Sequence, residues 1–525
     1  MRRSRVAVVL VALGAAATST HAQYPYVPPP LRCIPLSEGP GILAGIVPTP
    51  GSDAARSDLV LLQFTYSPLP AEADVALRGV RDRLEARLRA ARPRAVRSYA
   101  GPAELRAETL AELPVELSAL GNQLGADRII AGRIDQDGTA VRLVLDVYDA
   151  NTGSRLWRTR KSTTLPSLLG MEIDLAKDVG GFVFKNLTLQ ERAALTSSIT
   201  RDDIAYSHYV RGVTYLRDTT SGTRAVTELR SAAQEAPKVA ETWSSLAIAY
   251  VMAASTLYAD SSSRDSIVQL GIAAAGKAYA LAPDAAHAWI ARGAAFGASE
   301  PSRPFDALIA YQRAATLEPT NAEAHWRLGR VLLQQGRSTD AQMHLLRAIT
   351  LQPEDPAPLV DLGELELNLR AYDQSCRALD LALSLNPRFA SAYLLRAMAR
   401  VGRGDVRHAW IDAETGRRLG IEIGGQAVEA LVDVAARDTS GATERVRGLE
   451  RQLKSRKHVS VSDGGYTALG LAAIGDRSSA LDLLERVRPR GPELYSFLHR
   501  PGFDWLWTDE RFRRLLEASN AGVGK

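Results

Sequence analysis

The sequence predicts a small α/β domain followed by an all-α solenoid of helix pairs. Two alternating apolar runs between 141 and 161 are joined by Asn151-Thr152-Gly153, which indicates a β-hairpin. Further on, Pro319, Pro353 and Pro387 are each separated by 34 residues, and a fixed period of this length indicates a repeat array. The chain has 525 residues, more than one compact domain of roughly 250–300 residues usually holds.

Residues 1–22 follow the pattern of a secretory signal peptide. Three arginines among the first five residues precede an apolar run at 6–17, and small Thr20 and Ala22 precede a cleavage point at Gln23. A helix of this length spans about 18 Å, against about 30 Å of membrane hydrocarbon. We therefore expect cleavage and an exported protein, periplasmic or secreted, without a transmembrane segment in the mature chain. Retention of the segment as an anchor stays open.

The net charge limits the classes of partner that we expect, and the cysteine content bears on a possible disulfide bond. The formal net charge is +5 and falls to 5 − 3 = +2 once the three arginines are removed, with both signs interleaved along the chain. This pattern argues against a nucleic-acid partner, which requires a clustered basic surface. Cys33 and Cys376 are the two cysteines, and whether they pair in an oxidising compartment stays open.

Two regions precede the repeats. Residues 23–57 hold eight prolines and no hydrophobic period, which is typical of an extended linker. Residues 58–198 show the mixed periods of an α/β domain. Its expected elements are a strand at 59–64, helices at about 75–92, 115–124 and 167–186, a three-stranded meander over 128–162 with a turn at Asp137-Gly138, and a capping box from Thr188 to Glu191 that starts a further helix.

This α/β region resembles a known domain. The matching residues are Leu124-Gly125-Ala126-Asp127, Ala131-Gly132, Asp149, Ala150, Thr152, Gly153, Leu156, Trp157 and the run LTLQERAAL at 187–195. They resemble the TolB-type amino-terminal domain, related to CsgG-like and FlgO-like domains, that precedes helical repeats in many bacterial proteins. The resemblance covers about 58–198 and implies a bacterial α/β domain coupled to a repeat array.

Residues 199–424 form the repeat array proper. Its units share a Leu-Gly pair, small residues in the second helix and a closing proline, as in Leu328-Gly329, Ala341, Ala348 and Pro353. This pattern resembles the tetratricopeptide repeat, in which small residues let two helices approach and the proline ends the second one. Residues 425–525 are expected to hold degenerate helix pairs and an aromatic cap at 501–516, because a terminal repeat must cover its apolar face.

No catalytic or cofactor motif is convincing. Residues 271–278, GIAAAGKA, lack the Ser or Thr and the preceding strand of a phosphate-binding loop. His325 and His344 lack further ligands for zinc, and turn chemistry explains Asp135 and Asp137 better than a calcium loop does. We therefore expect no cofactor, no metal and no enzymatic activity.

The tetratricopeptide resemblance also implies a binding site. In that family, positions 2, 5, 9, 12 and 13 of each first helix line an inner groove. The partner-groove candidates at these positions are His287, Glu323, Trp326, Arg330, Gln334, Glu364 and Asn368, beside apolar Ile290, Leu333, Val360 and Leu367.

These observations together predict a function. We expect an exported bacterial, non-enzymatic scaffold that binds a protein or peptide partner through this groove. The alternatives are a periplasmic ligand- or glycan-binding module and an enzyme with its site in the α/β domain.

Overall fold

A computed structural model describes residues 57–62, 64–66, 76–77, 79–92, 95–98, 114–216, 221–255, 261–299, 303–353, 355–456, 459–487 and 492–520. The predicted signal peptide, nearly all of the proline-rich linker, and Cys33 lie outside these residues. No helix within the described ranges is both long and apolar enough to cross a membrane.

Within the part of the chain that the structure describes, six strands form one sheet. They are β1 Ser57–Leu61, β2 Thr65–Tyr66, β3 Val96–Ser98, β4 Ala126–Asp137, β5 Ala140–Asp149 and β6 Arg155–Thr164. Their order is β3-β1-β4-β5-β6, with β2 also paired to β4. β1 runs parallel to β3 and β4, whereas β5 is antiparallel to β4 and β6. The predicted meander is confirmed, and its strands are longer than expected.

The first predicted strand is shorter than expected. The sequence predicts one strand at 59–64, but β1 ends at Leu61 and the next described strand is β2, at Thr65–Tyr66. The side chain of Arg81 donates hydrogen bonds to the carbonyls of Leu61 at 3.1 Å and Leu62 at 3.3 Å. These carbonyls are thus bound by a side chain where the strand stops.

Both hairpin turns form at the predicted glycines. Gly138 has φ +60° and Gly153 has φ +69°, a region that glycine enters without steric penalty. The Asp149 carboxylate accepts hydrogen bonds from the backbone N–H groups of Thr152 and Asn151, both at 2.9 Å. These bonds hold the pKa of Asp149 below its usual range, and they fix the loop between β5 and β6.

Helices cover both faces of the sheet. They are α1 Val80–Ala91, α2 Pro114–Leu124, α3 Leu168–Val183 and α4 Leu189–Thr196. One buried cluster joins Leu84 of α1 and Val179 of α3 to Ile134 on one face. A second joins Leu117 of α2 to Ile129 on the other. A small sheet is marginal alone, and these two helical layers stabilise it.

The predicted capping box begins α4. The Thr188 hydroxyl accepts from the N–H of Glu191 at 3.2 Å, and the Glu191 carboxylate accepts from the N–H of Thr188 at 2.7 Å. Arg92 donates to the same carboxylate at 2.7 Å. The bond from Arg92, with those from Thr188, lowers the pKa of Glu191 to about 2. α4 is thus tied to the end of α1.

The rest of the described chain is helical. The helices are α5 Asp203–Tyr215, α6 Gly222–Glu235, α7 Ala240–Ser255, α8 Ser261–Leu281, α9 Ala286–Ala298, α10 Pro304–Leu317, α11 Ala322–Gln334, α12 Ser338–Leu351, α13 Pro356–Asn368, α14 Tyr372–Leu385, α15 Ala390–Gly402, α16 Val406–Arg418, α17 Glu422–Ala435, α18 Thr439–Lys454, α19 Val461–Ala473, α20 Arg477–Arg486, α21 Pro492–Leu498 and α22 Glu510–Asn520. Short connections join most neighbours, as paired antiparallel helices require.

The described residues belong to two compact units. The amino-terminal unit holds those up to 328, with 347–355, and the carboxy-terminal unit holds 329–346 and those from 356 onward. Within each unit, successive helix pairs fit the predicted α-solenoid class, and the small α/β region belongs to the amino-terminal unit.

One contact recurs between consecutive repeats of the amino-terminal unit. The indole N–H of Trp243 donates to the carbonyl of Pro237 at 2.9 Å, and that of Trp289 to Pro283 at 2.7 Å. Each proline follows a second helix, where backbone carbonyls lack helical partners. The side chain six residues later therefore satisfies one of them.

The carboxy-terminal unit shows the close helix approach that the small residues predict. A Cβ on Gly363 of α13 would lie 2.6 Å from Leu379 Cγ of α14, closer than van der Waals contact. The buried Ser375 hydroxyl donates to the carbonyl of Gly363 at 2.8 Å. Only glycine fits where these helices touch.

Candidate functional site

His287 is the first groove candidate of the amino-terminal unit. Its Nδ1 lies 2.8 Å from the hydroxyl of Ser244, and its Nε2 lies 3.4 Å from a carboxylate oxygen of Glu241. The bond to His287 lowers the pKa of Glu241. His287 therefore connects the first helices of two consecutive pairs, α7 and α9, while its predicted neighbour Ile290 is buried at 2% exposure.

Glu323 and Trp326 lie on α11 within the same unit. The exposed Glu323 carboxylate is 3.3 Å from Arg327, whose guanidinium stacks 4.5 Å from the ring centre of Trp326. Burial, with the charges of Glu241 and Glu323, raises the pKa of Tyr209 on α5. We call the side chains at the groove positions of the first helices the first-helix face.

On the first-helix face of the carboxy-terminal unit, some side chains are accessible, some are buried, and some contact another part of the chain. Arg330 is exposed and Gln334 is half-buried, whereas Leu333, Val360 and Leu367 are buried. These three apolar side chains at groove positions are thus closed to a partner. The remaining candidates, Glu364 and Asn368, contact another part of the chain.

Glu364 and Asn368 bind the carboxy-terminal segment, defined here as residues 494–504. Glu364 accepts a hydrogen bond from Arg500 Nη2 at 3.0 Å. The Asn368 amide donates to the backbone carbonyl and to the hydroxyl of Ser496, both at 3.4 Å. The predicted groove positions of α13 therefore hold a stretch of polypeptide that belongs to the same chain.

Sequence reasoning missed Arg370, which also holds this segment. Its guanidinium donates to the carbonyl of His499 at 2.7 Å and pairs with Asp504. Arg370 has φ +65°, while Gly336 and Gly404, 34 residues before and after it, have φ +71° and +79°. An arginine at a repeat position that otherwise carries glycine was the signal that could have identified it.

The buried side of the contact is aromatic. The guanidinium of Arg500 lies 3.8 Å from the ring centre of Phe497 and 5.0 Å from that of Tyr466 on α19. Phe497 is 4% exposed and Phe503 is fully buried. The segment is therefore anchored by apolar burial, and the ion pair with Glu364 compensates the buried arginine.

The structure also locates the residues considered for chemistry. Residues 271–278 lie within helix α8, which is not the loop that a phosphate site needs. Asp135 pairs with Arg133 and Asp137 with Arg142. Among the described residues no group of three His, Cys, Asp or Glu side chains could hold a metal ion. Cys376 is buried and has no disulfide partner among the described residues, and burial raises the pKa of its thiol.

No protein-family model and no curated protein matches the chain. Among solved structures, it is similar to the pilF protein of Pseudomonas aeruginosa, with a TM-score of 0.33 and 20% identity over 40% of this chain and 92% of that one. A thermophilic TPR protein of Thermus thermophilus gives a TM-score of 0.32 and 20% identity over 37% and 98%. The APC/C hetero-tetramer Cut9–Hcn1 gives 0.41 and 17% over 61% and 61%. Because these TM-scores are low, the description as helix-pair repeats rests on the chain's own period and contacts.

Proposed function

We propose that this chain is an exported, non-enzymatic scaffold that binds a protein or peptide partner through its first-helix face. The proposal is supported by the binding of the carboxy-terminal segment at predicted groove positions of α13. At predicted groove positions, Glu364 and Asn368 already contact a polypeptide, and one of the contacts goes to the backbone carbonyl of Ser496. Backbone carbonyls are common to every partner polypeptide, so this chemistry suits a protein ligand.

The partner site that we propose lies in the amino-terminal unit. There the candidates His287, Glu323 and Trp326 contact neighbours on the repeats themselves, and Glu323 is exposed. Arg330 and Gln334, on the carboxy-terminal unit, are proposed separately as partner contacts of that unit. The ring of Trp326 gives this face an aromatic anchor for a partner. The carboxylate of Glu323 gives it a charge that can distinguish between partners.

Export and domain organisation complete the proposal. The domains that we propose are a signal peptide at 1–22, a linker at 23–57, a TolB-like α/β domain at 58–198, the tetratricopeptide array at 199–424, and degenerate pairs with an aromatic cap at 425–525. The six-stranded sheet with two helical layers supports an α/β domain. The buried rings of Phe503 and Phe512 support the cap.

Site-specific photo-crosslinking tests the partner face. A photoreactive phenylalanine derivative is placed at Glu323, and at Glu235 on α6 as a matched control, since both glutamates are exposed. In native extract we expect one discrete polypeptide adduct at Glu323, strongly reduced by Trp326→Ala in the same protein. Equal adducts at the two positions, or none at Glu323, would contradict the proposal.

A further inference from the structure

A small cleft opens between α8 and α9 of the amino-terminal unit. Its volume is about 170 Å³, and its walls include Ile272, Ala275 and Gly276 from α8 and Arg292 and Phe296 from α9. Sites for drug-sized ligands are typically about 300–1,000 Å³, so this cleft has room for a smaller group, such as one apolar side chain. It involves none of the residues proposed above for partner binding.

Arg292 dominates the chemistry of this cleft. Its guanidinium carbon lies 4.3 Å from the ring centre of Tyr279, 4.8 Å from that of Trp289 and 5.4 Å from that of Phe296. Aromatic faces attract a guanidinium and orient it. The ring faces offer no oxygen to accept hydrogen bonds from the five N–H groups of the guanidinium. Among the described residues, no carboxylate or carbonyl oxygen accepts a hydrogen bond from Arg292 either.

Among the residues that the structure describes, no carboxylate pairs with the guanidinium of Arg292. The cleft walls contain no acidic residue. The nearest cation on the same aromatic rings is Arg303, 4.4 Å from the ring centre of Phe296, and it is paired with Asp306 at 2.7 Å. Within the described ranges, Arg292 is thus half-buried and held in place without an anionic partner, and these are the features of an anion-binding group.

We propose that this cleft binds a carboxylate attached to an apolar group. The guanidinium of Arg292 pairs with the carboxylate through two parallel N–H···O bonds, and the apolar group packs against the half-buried Ile272 and Phe296. A Cβ added to Gly276 would meet no atom within 4 Å, so the absence of a side chain there leaves the space open. Such a ligand has two sources, a free small organic acid or the terminal residue of a polypeptide.

Titration of the full-length protein with defined probes tests this site. The probes are isovalerate and a tripeptide that ends in leucine with a free carboxylate. Binding of each probe is measured by NMR or calorimetry at the millimolar concentrations expected for ligands of this size. Isovalerate consists of a carboxylate and one branched apolar group. The tripeptide carries a carboxylate and a branched apolar side chain at the end of a polypeptide. We expect saturable binding of at least one of them.

Two substitutions assign the binding to the cleft. Arg292→Gln removes the charge, and Gly276→Leu fills the space without altering the charge. Arg292→Gln should weaken binding by at least about tenfold, the effect of losing one charge-assisted contact. Gly276→Leu should weaken it at least as much, because the added side chain occupies the space of the ligand. Gly181→Leu is the matched control, because Gly181 is also an exposed helical glycine with no atom within 4 Å of an added Cβ. Its affinity should stay unchanged.

The outcomes separate the two ligand sources and the null result. Binding of isovalerate as tightly as the tripeptide indicates a small-acid site. Tighter binding of the tripeptide, abolished when its carboxylate is amidated, indicates a chain-end site. If neither probe binds, or if binding survives both Arg292→Gln and Gly276→Leu, the proposal is wrong. The result does not depend on the crosslinking at Glu323. The proposed carboxylate site and the proposed partner-binding face are therefore tested independently.

Discussion

Arg370 has a backbone conformation that glycine adopts at the equivalent position of neighbouring repeats. An L-residue in the left-handed region costs roughly 1–2 kcal/mol. Arg370 carries this cost at φ +65°, and its side chain binds His499 and Asp504 of the carboxy-terminal segment. We interpret the arginine as a residue whose backbone strain is offset by the contact that its side chain makes.

Arg370→Gly should therefore release the carboxy-terminal segment without straining the repeat. We expect faster amide hydrogen exchange across residues 494–504, because two side-chain anchors are lost. The control is Arg437→Gly, since Arg437 has φ +67° and is exposed. That variant should gain about 1 kcal/mol of unfolding free energy and keep the exchange pattern of the segment. Unchanged exchange in Arg370→Gly would show that the arginine does not anchor the segment.

Glu366 is a buried carboxyl group on α13. Burial raises its pKa to about 7, although a hydrogen bond from Gln342 at 2.9 Å and the charge of Arg377 favour the ionised form. A carboxyl group with a raised folded-state pKa binds more protons when folded than when unfolded. Its contribution to stability is therefore greatest in acid and is lost as the pH rises through about 7.

Glu366→Gln should remove this pH dependence while keeping an acceptor for Gln342. At pH 8 we expect the variant to unfold with a free energy up to about 3 kcal/mol higher than that of the natural protein, the equivalent of a shift from about 4.5 to 7. Near pH 4.5 the difference should be small. Urea denaturation between these pH values measures it, with the exposed Glu444→Gln as control. A difference that grows toward acid would contradict the assignment.

At the scale of elements, a buried carboxylate joins two neighbouring helices. Asp412 of α16 accepts hydrogen bonds from Arg396 at 2.9 and 2.7 Å and from Arg400 at 2.7 Å, both on α15. The Asp412 side chain is 2% exposed. Arg396 also contacts Asp380 of α14 at 2.6 Å, but that side chain is 55% exposed. The same arginine therefore makes one buried and one exposed ion pair.

These two pairs should differ sharply in their effect on stability. Asp412→Ala leaves two largely buried arginines without their carboxylate and should lower the unfolding free energy by about 3–5 kcal/mol. Asp380→Ala removes a pair in water and should cost less than about 1 kcal/mol. Chemical denaturation of the two variants compares them directly. Similar losses would mean that burial does not determine the strength of these contacts.

At the scale of the whole molecule, export is the prediction with the most direct measurement. The amino-terminal pattern places cleavage after Ala22, because small side chains at that point and at Thr20 fit a signal peptidase. The intact mass of protein expressed with its native amino terminus should correspond to a chain that begins at Gln23. Ala22→Arg should block the cleavage. Retention of Met1 in the mature natural protein would favour the anchor alternative.

The sequence by itself determined the features that depend on nearby residues. The turns at Gly138 and Gly153, the capping box at Thr188 and the 34-residue repeat period follow from local steric and hydrogen-bonding rules. Each rule involves residues within a few positions of one another or one regular spacing. These features were therefore predictable without knowledge of the packed chain.

Only the tertiary structure decided which groove candidates are occupied. Glu364 and Arg500 are 136 residues apart, and no local pattern specifies that they meet. Sequence reasoning placed Glu364 at a groove position, but it could not show that the chain's own carboxy-terminal segment binds there. The same applies to Arg292, whose three aromatic neighbours come from two helices. Such contacts depend on how helices pack, which is decided by the sum of many weak interactions across the chain.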